Sequence, residues 1–240
     1  MLACNNIKLL YQKKVILDSI TISFQKGLTC ILGQNGAGKS TLIKVLSGRV
    51  DSYHGSVIIG GTDIKTMSIA EISKTVVMMN QSYEVVFDFT VEEVLKMGFH
   101  GLHFNDILYH KAVNMTNISH FLHRKYQTLS GGEKQRVQFA RAIARLYATK
   151  SSILFLDEPS SSADIKQEYN MITIAKEIAN AGHIVIMISH NIAIARRYAN
   201  AVILLKNGKL QKYSSEVSDK EIMDCFDVGQ DVVSTLNIVR

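Results

Sequence analysis

Eight consecutive residues, Gly33-Gln34-Asn35-Gly36-Ala37-Gly38-Lys39-Ser40, carry the strongest chemical pattern in the chain. Glycines at this spacing let the backbone turn tightly and aim successive N–H groups at one point, where the oxygens of a phosphate chain can sit. A helix starting there adds the partial positive charge of its N-terminus. Lys39 is then placed to reach the β- and γ-phosphates of a nucleoside triphosphate, and the Ser40 hydroxyl to ligate Mg²⁺. Two further groups fit the same chemistry. Ile153–Leu156 is four apolar residues followed by Asp157 and Glu158, which describes a buried strand emerging at its carboxyl end. Asp157 suits Mg²⁺, directly or through water, and Glu158, facing the other way, suits a base for an attacking water. Ser130-Gly131-Gly132, at a helix start, makes a second anion site. It has no lysine in the loop, so another molecule must supply the rest of the pocket.

These groups need elements to hold them. Leu28–Leu32 is a continuous apolar run, as in a strand buried on both faces, and leads into the glycine-rich loop. Lys39–Ser47 leads out as a short helix, with Leu42, Ile43, Val45 and Leu46 apolar and a stop at Gly48. Other strands are expected at Ile7–Tyr11, Ile20–Phe24, Ser56–Ile59, Thr75–Met79, Ile184–Ile188 and Ala201–Leu205. Helices are expected at Gln167–Ala181, Ile192–Tyr198 and, in the polar tail, Asp219–Phe226. From about Phe89 to Ala148 the apolar spacing becomes helical, with Val91, Val94, Leu95, Ile107 and Leu108 on helix faces. Strand alternating with helix, interrupted once by a helical insertion, implies a parallel sheet wrapped by helices.

Composition excludes several classes. The chain has 240 residues, 47% hydrophobic and 20% charged, with one proline and no tryptophan, an ordinary globular composition at a length that fits one α/β domain with an inserted subdomain or two small domains. Its longest apolar runs have five residues, far below the roughly 20 of a spanning helix. The net charge of +6 suits an anionic partner. Cys4, Cys30 and Cys225 are scattered, with no Cys-x-x-Cys pair, and point to a reducing compartment rather than to a disulfide framework or a zinc site. His100/His103 and His120/His123 have i, i+3 spacing without an acidic or cysteine partner, and are read as surface histidines.

Leu129-Ser130-Gly131-Gly132-Glu133-Lys134-Gln135-Arg136, whose Ser130 lies 27 residues before Asp157, resembles the signature motif of ATP-binding-cassette ATPases. The resemblance covers nearly the whole chain. It implies a P-loop fold with an N-terminal antiparallel β-subdomain and an inserted helical subdomain. A RecA-like core with the β-subdomain is expected at 1–81 and 151–213, the helical subdomain at 82–150 and a tail at 214–240. It implies ATP held by Tyr11, Gly33, Gln34, Asn35, Gly36, Ala37, Gly38, Lys39, Ser40 and Thr41, with Tyr11 stacking on adenine. Ser130, Gly131 and Gly132 of a second copy would close over it in a homodimer. Mg²⁺ falls to Ser40, Gln81 and Asp157, and catalysis to Glu158, His190, Lys39 and Gln81. Ser161 and Asp164 would line the dimer seam, where Ala163 replaces the family's usual leucine.

Phe89–Gly98, Arg124–Leu129, Arg136–Leu146 and Ala195–Ala199 are similar to segments of importer cassettes for haem and other iron chelates. The resemblance therefore implies an ATPase at the cytoplasmic face of the inner membrane, peripheral and docked on membrane permease subunits through about Ser82–Phe104. A periplasmic or surface substrate-binding protein would act indirectly, and no nucleic acid is expected. The competing readings are a cassette for another cargo (siderophore, cobalamin, zinc or manganese) and a non-transport cassette ATPase. The 48 residues from 82 to 129 make a short insertion for this group.

Overall fold

A computed structural model of the chain describes residues 1–80, 86–149, 151–160 and 164–236. β1 (Leu2–Tyr11) and β2 (Lys14–Phe24) form a long hairpin in which Tyr11 pairs with Lys14. Both turn residues, Gln12 and Lys13, are left-handed (φ 47° and 69°), the twist that a two-residue hairpin requires. β3 (Gly27–Leu32) is buried at every position, and α1 (Lys39–Leu46) follows the glycine-rich loop. β4 (His54–Ile59) and β5 (Thr62–Asp63) complete an antiparallel sheet of order β2-β1-β4-β5.

α2 (Ile69–Thr75) runs directly into β6 (Val76–Met79). Thr75, expected to begin the strand, instead ends the helix. Ser68 and Glu71 form a reciprocal cap that starts α2, and the Thr75 hydroxyl donates back to the Glu71 carbonyl. The helical region holds α3 (Val91–Lys96), α4 (Asp106–Thr116) and α5 (Gly131–Thr149). Ile107 is exposed on the first turn of α4, while Tyr109, Ala112 and Val113 turn inward. His100 closes a 3₁₀ turn and His103 lies beyond it, so the two do not share a helix face.

The remaining elements alternate. They are β7 (Ile153–Leu156), α6 (Ile165–Asn180), β8 (Ile184–Ile188), α7 (Ile192–Tyr198), β9 (Ala201–Lys206), β10 (Lys209–Ser214), α8 (Asp219–Phe226) and α9 (Gln230–Leu236). The second sheet has the order β10-β9-β3-β8-β7-β6, parallel except for the edge strand β10. β3, the first strand of this sheet in chain order, lies between β9 and β8, and because β3, β7 and β8 run parallel the loops leaving them open at one sheet edge. That edge is where an open α/β sheet binds ligands.

Two cores sandwich this sheet. On one face, α1 packs Leu42, Ile43, Val45 and Leu46 between the sheets, among Ile20, Phe24, Val57, Phe155 and Ile186. On the other, α3 to α8 cover Leu28, Leu32, Leu154 and Leu204. The tail belongs to this second core, because α8 buries Ile222 and Cys225 against it. All three thiols are free and buried, and burial pushes Cys4 up to about 11 and Cys30 to about 12. Among the described residues, no helix is long and apolar enough to cross a membrane.

Candidate functional site

The glycine-rich loop is shaped by what lies against it. Gly33 has φ 154°, and a Cβ there would come within 2.1 Å of the Leu205 carbonyl oxygen. Gly38 has φ 101°, and its Cβ would meet Leu17 and the Ile16 carbonyl at about 3 Å. Neither position admits a side chain. Lys39 is buried at the start of α1, and its Nζ donates to the carbonyls of Gly33 (2.8 Å) and Gln34 (3.0 Å). Burial pushes its pKa down, while the charges of Glu158 and Asp157 pull it back up. The loop amides and the lysine thus enclose a cradle for an anion, in which the phosphate would replace the loop's own carbonyls at Nζ.

β7 and β8 bring the acids and the histidine to the same edge. Asp157 is only 4% exposed and accepts from the Ser40 hydroxyl (2.9 Å). Burial pushes its carboxyl pKa up, partly opposed by that hydrogen bond. A buried carboxylate with a hydroxyl oxygen beside it, at the mouth of a phosphate cradle, is a donor set that a hard divalent cation fits. Glu158 stands in the left-handed region at φ 50°. For a residue with a side chain that conformation costs about 1–2 kcal/mol, and it persists only where the surroundings impose it. Here it turns the carboxylate toward His190, whose Nε2 lies 2.8 Å from Oε1. His190 lies two residues past the end of β8, as Glu158 lies two past the end of β7.

The other predicted residues lie as follows. Tyr11 is two-thirds exposed at the hairpin tip, at the edge of a groove of about 480 Å³ lined also by Ile16, Thr41, Lys44 and Val50. Ser130 caps α5: the Glu133 amide donates to its hydroxyl (3.3 Å), and the Glu133 carboxylate accepts from the Ser130 amide (2.8 Å). Ser130 and Gly131 are exposed and Gly132 is buried. Among the described residues, these three make no hydrogen bond to the 33–41 loop. Asp164 caps α6 by accepting from the Gln167 amide (2.8 Å). Gln81 and Ser161 lie outside the described residues.

One participant, Glu168, and one contact, from the Gln34 side chain to the tail, escaped the sequence reading. Glu168 accepts from Asn191 Nδ2 (3.2 Å) and from the Ser160 hydroxyl (3.5 Å), tying the loop after Glu158 to the loop after His190. The i+4 position after a helix cap carries no sign of such a bridge. Gln34 donates from Nε2 to the Phe226 carbonyl (2.6 Å) and to Asp227 Oδ2 (3.1 Å), a contact across almost the full chain length.

Known proteins match this architecture closely. Among solved structures, a dimeric bacterial ABC transporter cassette superposes with a TM-score of 0.79 at 21% identity, covering 91% of this chain and all of that one. A nucleotide-free cassette from an ABC transporter gives 0.79 at 23% identity, over 100% and 99% of the two chains. Among curated proteins, the chain is 36% identical over 222 residues to the hemin import ATP-binding protein HmuV of Aliivibrio fischeri, spanning 88% of this chain and 83% of that protein. It is 31% identical over 239 residues to the protein of that name from Agrobacterium fabrum, spanning 95% and 92%. The ABC transporter family model matches residues 17–161. With the phosphate loop, the acidic strand end and the capped serine–glycine turn in the same chain, the conclusion is direct: the protein belongs to the ABC transporter family and is one of its ATPase cassettes.

Proposed function

We propose that this cassette is the ATP-hydrolysing subunit of an importer that carries haem, or a related iron chelate, across a membrane. The observation that supports the cargo most directly is the run of hemin-import relatives at 31–36% identity over most of the chain. The geometry supports the chemistry. Tyr11 stacks on adenine, and the backbone of 33–41 holds the phosphates. Lys39 exchanges its carbonyl partners for β- and γ-phosphate oxygens. Ser40 and Asp157, joined by Gln81, would hold Mg²⁺, which neutralises charge between the β- and γ-phosphates. Glu158 takes a proton from the water whose oxygen attacks the γ-phosphorus as the bond to the β-phosphate oxygen breaks. His190 keeps Glu158 aimed and faces the γ-phosphate.

Catalysis on this reading is shared. Ser130 and Gly131 are solvent-facing in the single chain, so Ser130, Gly131 and Gly132 are free to cap the ATP of a second copy, with Asp164 and Ser161 at the seam. Permease subunits would dock on the surface that includes Val86 and Phe87, exposed by 79% and 71%. A cleft of about 410 Å³ opens between Arg49, Asn80, Met97 and Arg141. The cassette would then work peripherally on the cytoplasmic face of the inner membrane, with a substrate-binding protein outside.

The test is transport by the intact importer, reconstituted with its own permease in ATP-loaded vesicles. Hemin uptake should exceed uptake of cobalamin, a ferric siderophore and zinc, and should vanish with Lys39→Ala. Selective uptake of one of the competitors would replace the cargo while leaving the ATPase role intact.

A further inference from the structure

Gln34 belongs to the phosphate loop through its backbone and to the C-terminal segment through its side chain. Its carbonyl accepts from Lys39 Nζ (3.0 Å) and from the Ala37 amide (3.2 Å), so its position helps to set the curvature of the cradle. Its Nε2 donates to the carbonyl of Phe226, the last residue of α8, and to Asp227 Oδ2. A helix leaves its final carbonyls without intrahelical partners, and here a side chain of the phosphate loop satisfies one of them. Asp227 closes α8 in the left-handed conformation, φ 53°. Its other oxygen accepts from Lys206 Nζ (2.6 Å), at the end of β9, and the same ammonium donates to the Asp224 carbonyl (2.5 Å). The hairpin of β9 and β10 braces the loop from the same side, since the Gly208 amide donates to the Ala37 carbonyl (3.0 Å).

The charge arrangement fits this contact. A carboxylate beside a phosphate cradle would repel the ligand, and Lys206 neutralises it at contact distance. The Asp227 side chain is 65% exposed, so the ion pair adds little to global stability. Its effect belongs on the loop it holds.

We propose that Asp227 and Gln34 form a latch by which the C-terminal helix positions the phosphate loop, making Asp227 a positioning residue for ATP binding. The inference rests on the ATP site proposed above. Losing one hydrogen bond of ordinary strength corresponds to about a fivefold change in affinity. Steady-state hydrolysis should be measured for the unaltered protein, Asp227→Gly, Gln34→Ala, the double variant and Asp227→Asn. Glycine keeps the left-handed backbone and removes only the carboxylate. Asp227→Gly and Gln34→Ala should each raise KM for ATP about threefold to tenfold with kcat within about twofold, and the double variant should be no worse than either. Asp227→Asn, which retains an acceptor and tolerates this backbone, should restore most of the affinity. Additive effects in the double variant, or a lowered melting temperature at unchanged KM, would overturn the latch. A second measurement needs no substitution: ATP without metal should slow amide exchange in 219–228 of the unaltered chain by at least about threefold, because coupling between sites is reciprocal. Unchanged exchange there would also overturn it. Lys39→Ala in the same hydrolysis assay reports on the ATP site itself, so a failure of that reading shows separately.

Discussion

Replacing Asp157 by asparagine separates two roles of one carboxylate. Its pKa is pushed above the ordinary 3.8 by burial, so ionising it costs more in the apo fold than in the unfolded chain. A raised folded pKa contributes stability below the unfolded value and loses it as pH climbs through the folded one. At neutral pH the ionised side chain therefore weighs against the apo fold, a cost that the cation of the proposed site would offset. Asp157→Asn keeps an acceptor for Ser40, so it should raise the apo melting temperature at pH 7 and flatten its pH dependence above about pH 4. It should also abolish magnesium-dependent hydrolysis. A variant melting lower at pH 7 would show that the desolvation argument has the wrong sign. Glu158→Gln is the complementary case: ATP binding persists, turnover falls at least about 100-fold as general-base loss predicts, and a dimer accumulates on gel filtration with ATP. That Lys39, Ser40, Asp157 and Glu158 would lie together was legible because their types and spacing suit one chemistry. The left-handed backbone at Glu158 and the bond from Gln34 to the tail were not, because both arise from packing that no local pattern encodes.

The helices start where side chains meet orphan amides, and α5 shows what this does for the site. Ser130 and Glu133 cap it reciprocally, and Arg124 holds Glu133 at 3.1 Å. These bonds hold the turn within a single chain. Glu133→Ala should cost about 1 kcal/mol, a drop of about 2–4 °C in melting temperature, and weaken ATP-dependent dimer formation. Glu133→Gln, which can make the same cap, should preserve both, and equal losses for the two variants would count against capping as the cause. Strands β7 and β8 were legible as unbroken apolar runs, and β3 as a run interrupted only by Thr29, because burial on both sheet faces favours such a composition. The α2–β6 boundary was not, since the cap at Ser68 extends helix through Thr75 despite its β-branched side chain. Ile107 misled for the opposite reason: its apolar type fits a core face, but the turn at Asn105 sets the phase of α4 so that Tyr109 and Ala112 face inward instead.

For the molecule as a whole, the prediction concerns partnership. If each pocket is completed by another copy, two defects on opposite sides of the seam must complement. Lys39→Ala spoils a cradle and Ser130→Phe a cap, and each alone should be inactive. Mixed in equal amounts they form heterodimers holding one intact composite pocket, so ATP trapping should return to about a quarter of the unmutated level on random pairing of subunits. No recovery on mixing would mean that each chain closes its own pocket. The parallel sheet with a helical insertion was readable from alternating periodicities, and the separate antiparallel sheet only from the family resemblance, whereas α9, β10 and the docking of the tail on β9 were not, since their sequences are polar and their partners distant. The burial of Cys4, Cys30 and Cys225 has a practical consequence of its own. A thiol held neutral and shielded reacts slowly with maleimide reagents. One cysteine introduced at exposed Ile165, close to the expected seam, would then be the fast-labelling position on the native surface. A donor–acceptor dye pair attached there could follow the approach and parting of two copies in real time, without removing a single natural residue from the interior.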